Sequence, residues 1–202
     1  MKSTIIEIAR NKYIKSELDF QHLHFFQRRM VQHRLKYYKK FMIVRDPLQR
    51  LVTVFINKFI NTPGDDFVNF RHVWSKYIMA FTRRQKNIRP IRRRLKFKEF
   101  MTYLTKDKSR KFQEHWMPFY HLCHPCLINY DWVAKLETLN DDSDHILKLI
   151  GAPESLKFPA ADESTRNKTV DPYKDFISKI PQSLIQKVRD VYKTDYQLFG
   201  YR

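Results

Sequence analysis

Residues 40–59, KFMIVRDPLQRLVTVFINKF, constrain the fold more tightly than any other stretch of the chain. Four apolar residues, Phe41 to Val44, run straight into Arg45-Asp46-Pro47. Beyond them Leu48, Leu51, Val52, Phe55 and Phe59 recur at helical spacing. Pro47 suits the first helical position, where its missing N–H costs nothing. Asp46 suits the N-cap, and Gln49 completes a capping-box-like pattern with it. The spacing predicts a short buried strand over 41–45 and a helix over 47–61, with almost no loop between. A helix start carries unpaired N–H groups and partial positive charge. Arg45 adds a guanidinium fork suited to phosphate oxygens, and Thr53 adds a hydroxyl further along. Arg50, Thr53 and Asn57 share another face of the helix. Together these residues describe an anion-binding corner at the C-terminal end of a strand, where open α/β sheets hold ligands. The alternative for the same residues is an ordinary strand-to-helix turn, with Arg45 paired to Asp46 or to solvent.

The remaining pattern is mostly helical. Helices are expected over 4–16, 25–38, 67–86, 97–104, 109–115, 142–150, 172–179 and 181–192, and a second strand over 126–131. Gly151 is placed to end its helix, and Asn61-Thr-Pro-Gly-Asp reads as a turn. Residues 152–172 are expected to form a loop. Helices with a few short buried strands place the chain in the α/β class, as one domain over residues 1–202. The strand count is low for a complete α/β domain.

Charge narrows the partners. The 202 residues carry 39 Lys and Arg against 21 Asp and Glu, a formal charge of +18. Such a balance attracts polyanions: nucleic acid, anionic lipid, acidic glycans, or cofactors bearing phosphate or sulfate. The basic run RRQKNIRPIRRRLKFK (83–98) could meet a sulfated or carboxylated glycan, touch RNA, or remain a solvated face. No motif of a known nucleic-acid reader accompanies it. Two cysteines are too few for a disulfide scaffold. No run reaches the roughly 18–20 apolar residues of a membrane span, and the first residues lack the apolar core of a signal peptide.

The motif Arg45-Asp46-Pro47-Leu48-Gln49-Arg50-Leu51-Val52-Thr53-Val54-Phe55, followed by Lys58-Phe59, closely resembles the 3′-phosphate-binding segment of Golgi carbohydrate sulfotransferases, in the branch of the chondroitin 4-O- and HNK-1 sulfotransferases. Thr53 stands where that family usually has serine, which keeps the hydroxyl. FKEFMTYL (97–104), HWMPFYHLCHPC (115–126), INYDWVAKLETL (128–139) and VYKTDYQLFGY (191–201) resemble further family segments in family order. The resemblance runs from about Gln32 to the C-terminus. It implies a P-loop-NTPase-like core with a short parallel sheet and many helices. It also implies 3′-phosphoadenosine 5′-phosphosulfate as sulfate donor, a chondroitin- or dermatan-like acceptor, and residence in the Golgi lumen as a type II membrane enzyme. Arg45 and Thr53 would hold the 3′-phosphate, with Arg50 and Lys58 as further basic candidates. Arg166, in Ser164-Thr165-Arg166, would approach the nucleotide from a later loop. The family's P-K-V-x-C-[ST]-x-x-[KR] loop for the 5′-phosphosulfate is not recognisable here, nor is a membrane anchor. The expectation is therefore an N-terminally incomplete sulfotransferase, with two alternatives. One is a non-catalytic relative that binds nucleotide or acidic glycan; the other is a basic nucleic-acid-binding module.

Sulfate transfer to a hydroxyl needs a base, and histidine titrates in a suitable range. His22 and His24 would face one side of an extended segment, and related uronyl 2-O-sulfotransferases carry such a pair. His115, beside Trp116, is the third candidate. The bland readings are surface histidines for the pair and a core-edge histidine for His115. His121, Cys123, His124 and Cys126 lie within six residues, too close together to wrap one zinc ion easily, so no metal is expected. The family resemblance implies structural cysteines and leaves their pairing open.

Overall fold

A computed structural model describes residues 27–61, 65–84, 94–106, 113–158 and 172–202. It is helix-rich with a short parallel sheet of two strands, so it belongs to the α/β class. The described elements are α1 (Arg28–Tyr37), β1 (Phe41–Val44), α2 (Pro47–Phe55), a π-helical turn (Ile56–Ile60), α3 (Asp65–Arg84), α4 (Phe97–Leu104) and α5 (Phe119–Cys123). There follow β2 (Trp132–Lys135), a 3-10 turn (Leu136–Thr138), α6 (Leu139–Leu149), α7 (Pro172–Ser178), α8 (Gln182–Val191) and α9 (Lys193–Phe199). The expected helix over 4–16 lies outside the described residues. The chain divides into two compact units, residues 1–44 with 123–168 and residues 45–122 with 169–202.

In the first unit, β1 and β2 pair in parallel, with Phe41 opposite Trp132 and Val44 opposite Lys135. Asp131 fixes the start of this pairing. Its carboxylate accepts the Lys40 backbone N–H at 2.8 Å and its own N–H donates to the Lys40 carbonyl at 2.8 Å. The Lys40 N–H, and after it the Lys40 ammonium at 3.1 Å, hold the Asp131 carboxyl below its usual range. Met42, Val44 and Ala134 are buried, whereas Phe41 is 37 % exposed. Strand β1 thus buries one face rather than both, as alternation across a pleat allows. The strand expected over 126–131 is corrected to 132–135. His124 adopts φ 48°, and its carbonyl accepts from the N–H groups of Leu127 and Ile128 at 2.9 Å, so the chain turns before it can extend. Helix α6 starts at Leu139 rather than 142, because the Asp142 carboxylate is turned back onto the Lys135 N–H and the Thr138 hydroxyl (3.0 and 2.7 Å).

The second unit holds the larger core. Leu48, Leu51, Val52, Phe55 and Phe59 are all buried there, together with Ile78, Phe100, Tyr103, Leu104 and Trp116. Aromatic rings meet edge-on around Trp116: Trp74 at 4.9 Å and Phe100 at 5.6 Å between centroids. Such tilted pairs contribute about 0.5–1.5 kcal/mol each beyond area burial. The helix expected over 47–61 changes register at its end, where the Asn61 N–H donates to the Ile56 carbonyl at 2.7 Å, five residues back. Helix α4 covers the expected 97–104. Residues 113–115 belong to turns rather than to the expected short helix, whose earlier residues lie outside the described set. Helix α9 had no sequence expectation; it packs on α8 and ends at Gly200, whose φ of 63° closes the last turn.

Candidate functional site

The N-terminus of α2 is built as the sequence predicts, with one change. The Gln49 N–H donates to Asp46 Oδ1 at 2.9 Å and the Arg50 N–H donates to the Asp46 carbonyl at 2.8 Å. Gln49 does not complete a capping box; its side-chain oxygen accepts from Arg45 at 3.5 Å. Arg45 Nη1 also donates to Thr53 Oγ1 at 2.7 Å. The two groups expected to share a phosphate are thus already adjacent, both half-buried. Thr53 accepts from Arg45, so its own proton is left for a second partner. An incoming phosphate oxygen can accept from the guanidinium and from that hydroxyl at once.

Arg50 has a different setting. It is 8 % exposed, donates to the carbonyls of Met117 (2.7 Å) and Glu114 (3.1 Å), and lies 4.1 Å above the Phe119 ring. A guanidinium on two carbonyls and an aromatic face braces the 114–119 segment against α2. The same segment is tied to the C-terminal helices. Tyr192 donates its hydroxyl to the Trp116 carbonyl, and buried Asp195 accepts the N–H groups of Phe119 and Tyr120 at 2.7 and 2.8 Å. Asp195 therefore caps α5. Burial pushes its carboxyl above the usual range, and the two amide donors oppose that shift. No expectation was attached to Asp195. Its only signal was its place in VYKTDYQLFGY, and a capping contact 75 residues distant leaves no local pattern.

His115 sits on this braced segment. Its backbone N–H donates to Gln113 Oε1 at 2.7 Å, and its ring meets Phe70 edge-on at 5.6 Å. Burial, and secondarily the charge of Lys58, lower its pKa to about 4, so the imidazole is neutral at pH 7. Lys58 stands 5.7 Å from the Phe70 centroid, its own pKa lowered by burial and sustained by Glu114. The π-helical turn explains that position. Eight residues along a regular α-helix would set Lys58 about 80° from Arg50; Lys58 lies inside the wider turn, Ile56–Ile60, which brings it round toward the Arg50 side. His22, His24 and Arg166 lie outside the described residues, so their relation to Arg45 and Thr53 remains an expectation.

Cys123 and Cys126 are not joined in a disulfide. Among the described residues, no three His, Cys, Asp or Glu side chains converge as metal ligands. No described helix is long and apolar enough to cross a membrane.

The profile of the Sulfotransferase family matches residues 2–202, reaching upstream of Gln32, where the legible resemblance begins. Among curated proteins, the chain is 37 % identical over 176 residues to carbohydrate sulfotransferase 11 of Rattus norvegicus, covering 85 % of this chain and 49 % of the relative. It is 33 % identical over 172 residues to carbohydrate sulfotransferase 14 of Danio rerio, covering 85 % and 46 %. It is also 33 % identical over 190 residues to carbohydrate sulfotransferase 12 of Mus musculus, covering 87 % and 43 %. The chain spans about half the length of the curated relatives it matches. No solved structure matches it.

Proposed function

The chain belongs to the sulfotransferase family, and from that premise we propose that it transfers sulfate from 3′-phosphoadenosine 5′-phosphosulfate to a hydroxyl of a chondroitin- or dermatan-like glycan. The observation that carries this reading is the 2.7 Å contact between Arg45 and Thr53 at the capped start of α2. Residues 1–202 act as one sulfotransferase-like domain on a P-loop-like core, in the Golgi lumen, with an acidic glycan as partner. Relatives whose names describe carbohydrate sulfotransferases support the acceptor class.

In this reading Arg45 and Thr53 grip the 3′-phosphate, aided by the partial positive charge of the α2 N-terminus. Arg166 adds a further contact to the nucleotide. Arg50 is assigned indirectly: it holds the 114–119 segment in place while its charge favours an anion nearby. Transfer forms a bond from the acceptor oxygen to sulfur and breaks the bridging sulfur–oxygen bond. The products are a sulfate ester and 3′-phosphoadenosine 5′-phosphate. The hydroxyl proton passes to a base, for which neutral His115 is the described candidate and His22 and His24 the alternatives. Its low pKa makes His115 a weak base until bound anion raises it. As in phosphoryl transfer, positioning and charge stabilisation dominate.

Calorimetric titration with 3′-phosphoadenosine 5′-phosphate tests the reading. Micromolar binding is expected for the wild type, with large losses for Arg45→Ala and for adenosine 5′-phosphate, which lacks the 3′ group. Folded protein that ignores the nucleotide would refute the donor assignment. Nucleotide binding without transfer to a glycan would leave a nucleotide-binding relative and remove the catalytic part.

A further inference from the structure

The described end of the basic run takes part in no contact of the proposed donor corner, and its geometry is regular. From Arg94 to Lys98 exposure alternates: Arg94, Lys96 and Lys98 face solvent while Leu95 and Phe97 are buried. Lys96 has extended backbone angles, φ −94° and ψ 147°, and alternation is the period of an extended segment. All three cations line a cavity of about 510 Å³ in the second unit, and Lys179 adds a fourth. Its wall is apolar, with Phe59, Ile60, Phe176 and Ile180 prominent. Among the described residues no carboxylate lines it. Glu99, next to the rim, pairs with Arg83 at 2.9 Å and accepts the Lys96 N–H at 3.0 Å, so its charge partly offsets Lys96, and Asp175 pairs with Lys179 at 2.7 Å. Neither Arg45 nor Thr53 takes part in the lining.

The volume falls within the range of about 300–1,000 Å³ typical of small-molecule sites. A glycan carries its charge on a polar body and gains little from such a wall, and a nucleobase needs an exposed ring face to stack on, whereas Phe55, Phe59 and Phe97 are buried. A neutral apolar molecule gains nothing from four cations. An occupant that satisfies both has an apolar body and an anionic head. We propose that this cavity binds a single-chain amphiphilic anion, with the tail against Phe59, Ile60, Phe176 and Ile180 and a phosphate, sulfate or carboxylate head on Arg94, Lys96, Lys98 and Lys179. The site is separate from the donor corner and stands whether or not that corner binds nucleotide.

The test is calorimetry of the whole chain with decyl phosphate below its micelle concentration. Saturable one-to-one binding is expected, with decanol and inorganic phosphate each at least tenfold weaker. The double variant Lys98→Gln/Lys179→Gln changes two exposed side chains and should weaken binding at least fivefold. Ile60→Ser, at another exposed position, should do so through the tail. Circular dichroism confirms that both variants fold. Equal affinity in the lysine variant, or equal binding of decanol, overturns the proposal. Displacement of decyl phosphate by 3′-phosphoadenosine 5′-phosphate would assign the cavity to the donor site instead. Displacement by phosphatidylserine vesicles would make it a membrane-docking face. Either result sinks the single-chain assignment.

Discussion

Arg45 and Thr53 are the residues on which the donor assignment turns, and they separate experimentally. A hydrogen bond to a charged group is worth about 1.5–3 kcal/mol, or roughly 10- to 150-fold in affinity. Arg45→Ala should weaken 3′-phosphoadenosine 5′-phosphate by that much or more, because charge is lost as well. Thr53→Ser should bind like wild type and Thr53→Val should lose about tenfold; equal affinity of the valine variant in calorimetry would remove the hydroxyl from the site. His115 yields a pH test. Its folded pKa, about 4, lies below the ordinary 6.5, so the unfolded chain takes up the proton first as pH falls. Its contribution to stability is therefore full above pH 6.5 and lost as pH drops toward 4. Burial first, then the charges of Lys58 and Arg50, keep the imidazole neutral, against Glu114. Thermal midpoints measured across that window should fall less for His115→Gln than for wild type. Parallel curves would mean that the ring is not held neutral.

Helix ends carry the next level of expectation. Asp195 satisfies two N–H groups at the start of α5 from a helix far along the chain. Asp195→Ala leaves both donors buried without an acceptor, at a cost of about 2–4 kcal/mol. Asp195→Asn, which can still accept through one oxygen, should cost less, and denaturant titration of the two variants checks that order. The start of α2 and the end of α6 were legible in advance because caps are local: Asp-Pro and Gly151 act within a turn of themselves. The π-helical turn was not legible, because Ile56 to Ile60 carry no residue that forbids a regular helix. Its register keeps Phe59 in the core and sets Lys58 beside Phe70, a choice made by packing partners elsewhere in the chain.

At the scale of the whole molecule, the charge of +18 governs encounter with acidic partners. Attraction between exposed charges is screened within about 10 Å at 0.1 M salt. Affinity for a sulfated polysaccharide should thus fall at least tenfold from 50 to 300 mM salt. Arg45→Ala should leave that slope nearly unchanged, since one half-buried cation is a small part of the total. A slope that collapsed in this variant would place polysaccharide binding at the donor corner.

The chain's own sequence determined the parts whose physics is local. These are the abrupt passage from β1 to α2, the aspartate cap, the apolar face of Leu48 to Phe59, and the grouping of Arg45, just before the cap, with Thr53 on the helix that follows. It also carried the family, because the ordered segments are written along the chain. The tertiary structure decided what depends on residues far apart. It moved β2 from 126–131 to 132–135, since Asp131 must meet Lys40 across the sheet. It set Arg50 on the carbonyls of Glu114 and Met117, 64 and 67 residues away. It also gathered four cations around an apolar cavity. Spacing along a helix or strand fixes which side chains share a face. Only packing fixes what that face meets.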